Sequence, residues 1–354
     1  AEPVALTVQI KKRLEGFRLE VDFTARDGEP LALLGASGCG KSMTLQCVAG
    51  IRRPDWGRIE LDGEVLFDSG RHIDLPPQRR RVGYLFQQYA LFPNMTVEQN
   101  IAVCLGRAEE PRRRERTAEL VRMLRLEGLE GRRPRQLSGG QQQRAALARI
   151  LASEPRAILL DEPFSALDSH LKWQLEADLA DVLARFPGPV VWVSHDRGEV
   201  YRNCRQVCVL DSGRSAPAST VRELMECPRT VSAARLSGCE NYVPIRPGPE
   251  PDLVSVPDWH LTLRCAGPWR EGAAVLGIRA CHVRPAAAGE VNAFPCETVR
   301  VTEDVSAVLA DLRIPGSEGP LLRMELDREA WAALPDRGRL WVSVPPERLL
   351  LLAP

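Results

Sequence analysis

Gly35-Ala36-Ser37-Gly38-Cys39-Gly40-Lys41-Ser42 is the stretch on which the reading of this chain turns. It fits G-x-x-x-x-G-K-[ST], in which glycines let backbone N–H groups close around a polyphosphate and the lysine meets its outer charge. Ser42 supplies a hydroxyl for a magnesium ion. Average residue usage would give this pattern by accident in a 354-residue chain with a probability on the order of 1%. The flanks agree with it. Leu31-Ala32-Leu33-Leu34 is a short apolar run of the kind expected of a buried parallel strand. Beyond Ser42, Leu45, Val48 and Ala49 recur at helical spacing until Gly50, a C-cap residue. The phosphates would then meet a helix N-terminus, where unpaired N–H groups and the macrodipole favour negative charge.

A second apolar run, Ala157-Ile158-Leu159-Leu160, ends in Asp161-Glu162-Pro163. That places two carboxylates at the C-terminal end of a strand, where open α/β sheets build their sites. Asp161 can orient the shell of a magnesium ion, and Glu162 can polarise the water that attacks a γ-phosphate. An isolated Asp-Glu-Pro fits a solvated turn equally well; the phosphate loop upstream decides between the two.

With these residues in place the chain resembles the ATP-binding cassette (ABC) ATPases of membrane transporters. Leu137-Ser138-Gly139-Gly140-Gln141-Gln142-Gln143-Arg144 is similar to the family signature, and Ser165-Ala166-Leu167-Asp168 to the D-loop. Gln87, after Val82-Gly83-Tyr84-Leu85-Phe86, matches the Q-loop glutamine; His195, after Val190-Val191-Trp192-Val193-Ser194, matches the switch histidine. The fold implied is α/β, a P-loop cassette with a helical subdomain at about 88–155, spanning 1–232. The cofactors implied are ATP and Mg2+.

Ser138 and Gly140 offer a hydroxyl and backbone N–H groups at the start of a helix expected from Gln141 to Ala152, a second anion-facing helix end. The resemblance resolves two such ends in one chain by pairing two copies head to tail. Each ATP then lies between one subunit's Gly35–Met43 loop and the other's Ser138–Gln141 and Asp168. It also implies that Gln87 joins Ser42 and Asp161 around Mg2+, and that Glu162, His195 and Gln87 form the hydrolytic set, His195 holding the attacking water against the γ-phosphate. Two departures stand out. Family members usually carry Ser or Thr where this chain has Met43. The adenine-stacking aromatic is not obvious either: Phe17 is the candidate, and it fits a strand core equally well.

Formal net charge is zero and pI about 7.1, so no global field favours nucleic acid or anionic lipid. Arg79-Arg80-Arg81, Arg112-Arg113-Arg114 and Arg132-Arg133 read as solvated faces. No apolar run approaches a membrane span and no leader opens the chain, which predicts a protein neither spanning a membrane nor exported. The ten cysteines show no Cys-x-x-Cys pair, which argues against a disulfide framework or zinc site. Cys39, inside the phosphate loop at a helix N-terminus, is expected to have a lowered thiol pKa, while reading as a tolerated small residue.

After the strand and turn Val207–Gly213 and a short helical stretch near Thr220–Glu226, the composition changes at Pro228 to Gly238. Ala274–Ile278, Cys296–Val301, Ala307–Ile314, Leu321–Leu326 and Leu340–Val344 read as short strands broken by proline and glycine, hence a β-rich accessory domain over 233–354. Its place resembles the regulatory domain of importer ATPases. Residues 11–23, 43–51 and 65–69 look like molybdate importer ATPases, and Tyr89–Val97 like sulfate importers too. The resemblance therefore implies a peripheral ATPase on the cytoplasmic side of the membrane. It would work as a homodimer with a separate permease and, indirectly, a substrate-binding protein, taking up molybdate or tungstate. The alternatives are a sulfate or other importer ATPase and a soluble cassette switching a binding module; a non-catalytic cassette is disfavoured by the intact Glu162 and His195.

Overall fold

The computed structural model describes residues 4–106, 109–165 and 169–354, without the side chains of 169–171. It divides into two compact units, Ala1–Val221 and Arg222–Pro354.

The first unit is built on one mixed sheet. Its parallel half runs Gln206–Asp211, Leu31–Leu34, Val190–Ser194, Ala157–Asp161, Val82–Leu85 from one side to the other. All residues of Leu31–Leu34, Ala157–Asp161 and Val190–Ser194 are buried. Continuous apolar runs are what a sheet covered on both faces requires. The other half is antiparallel: Ala5–Arg13 pairs with Arg18–Arg26 and Trp56–Leu61, and alternates buried and exposed side chains. The helices Val97–Ala102, Glu110–Met123 and Gly139–Ala152 form a group of their own.

Arg80 corrects the reading of the basic clusters as solvated. It is 1% exposed and donates to the carbonyls of Cys47 at 2.8 Å, Val48 at 2.9 Å and Leu75 at 2.7 Å, with Asp74 as its counter-ion at 2.9 Å. The guanidinium thus satisfies the orphan carbonyls at the end of helix Lys41–Ala49 and sits at the negative end of its macrodipole. Arg79 and Arg81 do face solvent. The short helix Pro77–Arg80 turns only one arginine of the three inward.

The second unit is antiparallel β structure. Its five-stranded sheet is ordered Arg284–Pro285, Arg339–Ser343, Ala293–Glu303, Ala307–Arg313, Leu322–Asp327; two three-stranded sheets complete it. A single core of residues such as Val243, Trp259, Leu276, Phe294, Met324 and Val342 holds them together. The units part at Val221, ahead of the 232 expected from composition, because the intervening chain is bonded to the β unit. Val231 N donates to Ala353 O at 2.9 Å, and Arg279 donates to the carbonyls of Met225 and Ser237. Residue 232 lies inside a helix, Val231–Leu236, capped by Thr230.

Candidate functional site

Four adjacent parallel strands deliver the site. Leu34 pairs with Ser194, Val193 with Asp161, and Leu160 with Leu85, so the segments leaving these strands emerge side by side. They carry the Gly35–Ser42 loop, His195, Glu162 and Gln87.

Gly35 passes so close to the neighbouring strand that a Cβ there would lie 2.2 Å from Leu210 O; only glycine fits. Gly40, at φ 108°, adopts a backbone open mainly to glycine and starts the helix at Lys41. Ala36, Ser37 and Gly38 are exposed between them. Lys41 is 5% exposed, and its ammonium donates to Gly35 O at 2.7 Å and Ala36 O at 2.9 Å, so the loop closes on its own charge. Met43 packs against the core beneath the loop, and Thr44, one residue on, returns its hydroxyl to Gly40 O at 2.9 Å.

Cys39 departs from expectation. Burial pushes its thiol pKa up, against the opposing pull of Lys41. At 8% exposure desolvation of the thiolate outweighs the helix end, and the residue is a packed small side chain. Phe17 is half-buried, its ring 3.5 Å from where a Cβ of Gly40 would stand and against Gly213. It borders the phosphate loop and the core at once.

Ser42 Oγ donates to Asp161 Oδ1 at 2.8 Å, and the Tyr84 hydroxyl to Asp161 Oδ2 at 2.7 Å. Both carboxylate oxygens are therefore held. Burial, followed by the charge of Asp161, pushes the Tyr84 phenol up, so it remains a donor. The Ser42 hydroxyl and the Asp161 carboxylate make an all-oxygen pair suited to a hard cation such as Mg2+, while the described bond of Gln87 goes to Ser165. Among the described residues no three His, Cys, Asp or Glu side chains cluster to hold a metal.

Glu162 Oε1 lies 3.3 Å from His195 Nδ1. Its backbone is at φ 46°, a left-handed conformation that costs a non-glycine residue about 1–2 kcal/mol. Glu162 N is tied to Val193 O at 3.0 Å, so the turn is imposed by the sheet. Gln87 Nε2 donates to Ser165 Oγ at 3.2 Å, and Ser165 Oγ donates to Glu162 O at 3.0 Å. The arrangement places a carboxylate and an imidazole together beside a metal-capable pair, which equips it to activate water next to a bound phosphate.

Ser138 caps helix Gly139–Ala152, accepting from Gln141 N at 3.3 Å while Gln141 Oε1 accepts from Ser138 N at 2.9 Å. This capping box preorganises the helix end. The bonds of Ser138 stay within its own cap, apart from the side chains gathered at the sheet edge. Asp168 lies outside the described residues. Tyr84 and Lys172 are site neighbours that motif reading missed, and Ser165, read only as the start of the D-loop, is a third; Tyr84, inside the strand before Gln87, left a usable sign.

The family comparison follows this geometry. Residues 19–165 match the ABC transporter family. A spermidine/putrescine import ATP-binding protein of Methylococcus capsulatus is 40% identical over 289 residues, covering 78% of this chain and 72% of that protein. The chain belongs to the ABC transporter family of ATP-binding proteins. A molybdenum import ATP-binding protein of Paramagnetospirillum magneticum is 40% identical over 223 residues, but the match spans 63% of this chain and only 61% of the relative. The dimeric post-hydrolysis cassette MJ0796, bound to ADP and Pi, aligns at a TM-score of 0.52 and 29% identity over 62% of this chain and 99% of its own. The first unit is accordingly an ATPase cassette of the ABC type, followed by a β-rich unit.

Proposed function

We propose that this chain is the ATP-hydrolysing subunit of an importer, pairing head to tail with a second copy and driving a separate membrane permease from the cytoplasmic side. The observation that carries the reading is the Glu162–His195 pair beside the Ser42–Asp161 pair at one sheet edge. In this reading Lys41 and the loop N–H groups bind the triphosphate, while Phe17 borders the adenine. Ser42, Asp161 and Gln87 would hold Mg2+, which when bound neutralises charge on the phosphate oxygens. Glu162 takes the proton of the attacking water and His195 fixes that water's position. The Ser138 cap and Asp168 act on the nucleotide of the partner subunit. Among the described residues no helix is long and apolar enough to cross a membrane.

For the cargo, an oxyanion such as molybdate or tungstate is supported by the stretches at 11–23, 43–51 and 65–69 and by the molybdenum import relative. A polyamine is the second reading, favoured by the relative whose match runs over 78% of the chain. Uptake of labelled molybdate, tungstate, sulfate and spermidine by cells with and without the chain separates them. Loss of oxyanion uptake alone supports the first reading; loss of spermidine uptake alone overturns it. Glu162→Gln is expected to keep ATP binding and slow turnover about 10²- to 10⁴-fold, the range for a lost general base. Turnover within about twofold of the parent removes Glu162 from that role.

A further inference from the structure

Below His195 lies a small cleft of about 210 Å³ whose charges are not explained by the hydrolytic set itself. Glu162, Asp196 and Glu199 line it, and among the described residues Lys172 is the one lysine or arginine that does so. Lys172 comes from the first turn of helix Ser169–Leu183, directly after the D-loop segment. Its ammonium bonds the Asp196 carboxylate and lies 3.4 Å from Glu199 Oε2.

The two carboxylates are also bonded within their own segment, which Lys172 then ties to the helix after the D-loop. Asp196 caps helix Arg197–Asn203, accepting from Gly198 N at 2.8 Å and Glu199 N at 3.2 Å. Glu199 is 3% exposed and accepts from Trp192 Nε1 at 2.6 Å, on the strand that ends just before His195. A carboxylate this deep is costly unless a cation faces it. Four residues along helix Ser169–Leu183, Glu176 repeats the link, accepting from Arg202 Nε at 2.7 Å and Nη2 at 3.0 Å. His195 has no comparable support: its side chain is 63% exposed and its one described ionic contact is with Glu162.

The geometry points to Lys172 as a positioning residue for His195. It clamps the residue following the histidine to the helix following the D-loop, so the imidazole is held at the height of Glu162. It acts through Asp196, the residue it bonds. It also ties the movement of the histidine turn to that of the helix. The inference rests on the role proposed for His195 above, and the experiment is chosen to keep the two apart.

The experiment is a double-mutant cycle on full-length protein, with kcat and the KM for ATP measured for the parent, Lys172→Met, His195→Ala and the double variant. Lys172→Met is expected to lower kcat about 10- to 100-fold, the effect of misplacing a group by a fraction of an ångström, with KM within about twofold. In the His195→Ala background the same change should cost less than about twofold, because its target is gone. Lys172→Arg should recover at least about half of the parent kcat, since it keeps the charge. If Lys172→Met does not fold, the cycle is run with Asp196→Asn, which retains the cap but loses the ion pair. Effects that multiply across the cycle, or a KM rise matching the kcat fall, overturn the assignment of Lys172. Full activity in His195→Ala alone overturns instead the role of His195.

Discussion

Replacing Tyr84 by Phe removes the single phenol oxygen that donates to the Asp161 carboxylate. The ring keeps its contact with Phe86, centroids 4.3 Å apart, and no cavity opens. What is lost is the 2.7 Å bond to Asp161 Oδ2, a hydrogen bond to a charged acceptor, worth about 1.5–3 kcal/mol. Asp161 is 7% exposed, so bulk water does not readily replace the phenol. In a unit of this size each kcal/mol moves the melting temperature by about 2–4 °C, so a fall of about 3–12 °C is expected. With Oδ2 freed, the carboxylate also loses the bond that fixes how Oδ1 meets Ser42, and partners of this outer kind are worth about 10- to 100-fold in metal affinity. The assay is a Mg2+ titration of fluorescent ATP analogue binding, run in the Glu162→Gln background so that hydrolysis does not intervene, together with a thermal melt. The half-saturating Mg2+ concentration should rise by about that factor. A melt within about 1 °C of the parent together with a Mg2+ midpoint within about twofold would refute the reasoning, because both lie well below these ranges.

Phe92 is 45% exposed, with the Arg149 guanidinium 5.3 Å from its ring centre, while buried Asn100 pins its backbone in both directions. Phe92→Asp should therefore leave basal ATPase activity of the isolated protein intact and abolish permease-coupled uptake; normal uptake by a folded variant refutes a coupling role. A chain ending at Val221 should hydrolyse ATP with a plateau within about twofold of the full chain while needing more protein to dimerise, because every residue assigned to chemistry lies at or before His195. A folded truncation with no turnover at any concentration refutes that. In the second unit burial, then Arg348, Arg279 and Arg284, push His282 below its ordinary value of 6.5, so the native unit binds fewer protons than the unfolded chain. Its stability should be full above about pH 6.5 and fall as the pH drops through that value, a slope that His282→Gln flattens; calorimetry with the same slope in both proteins refutes it.

The cassette was legible because its chemistry is written in contiguous runs. Leu31–Leu34 into Gly35–Ser42, and Ala157–Leu160 into Asp161–Glu162, each state a strand and its terminal chemistry within a dozen residues. Arg80 was not legible, since its partners are carbonyls of residues 47 and 48, and no spacing announces a guanidinium folded back on a helix end. Tyr84 and Lys172 escaped for the same reason: each acts through a carboxylate far away in sequence. In the second unit the four longer strands and the short Val275–Ile278 could be read, whereas the other short strands Asn241–Pro244, Leu253–Val256, Leu261–Arg264 and Leu350–Leu352 were missed. Strands of three or four residues carry too few alternations to separate from loop.

One physical cause gathers the hydrolytic residues. Parallel strands set side by side present their C-terminal ends along one edge, and the register of Leu34, Ser194, Asp161 and Leu85 aligns those ends to within a residue. Residues 35–42, 87, 161–162 and 195 are thereby brought together although the chain separates them by up to 160 positions. Ser138 and Gly140 obey a different rule. They open a helix in the helical group, capped and anion-ready, but no strand of the sheet leads into it. A capped helix end standing outside that edge fits the use proposed for it above, on a second molecule's nucleotide. This supports head-to-tail pairing from within a single chain. It also leads to a concrete expectation: Ser138→Ala should leave ATP binding to the monomer unchanged and weaken ATP-dependent dimerisation through the phosphate contact it removes, while the lost cap lowers the stability of the fold by about 1 kcal/mol. Sedimentation of the Glu162→Gln protein with and without the second change reads this directly. Equal dimer affinities in the two would mean that the capped helix end plays no part in the assembly.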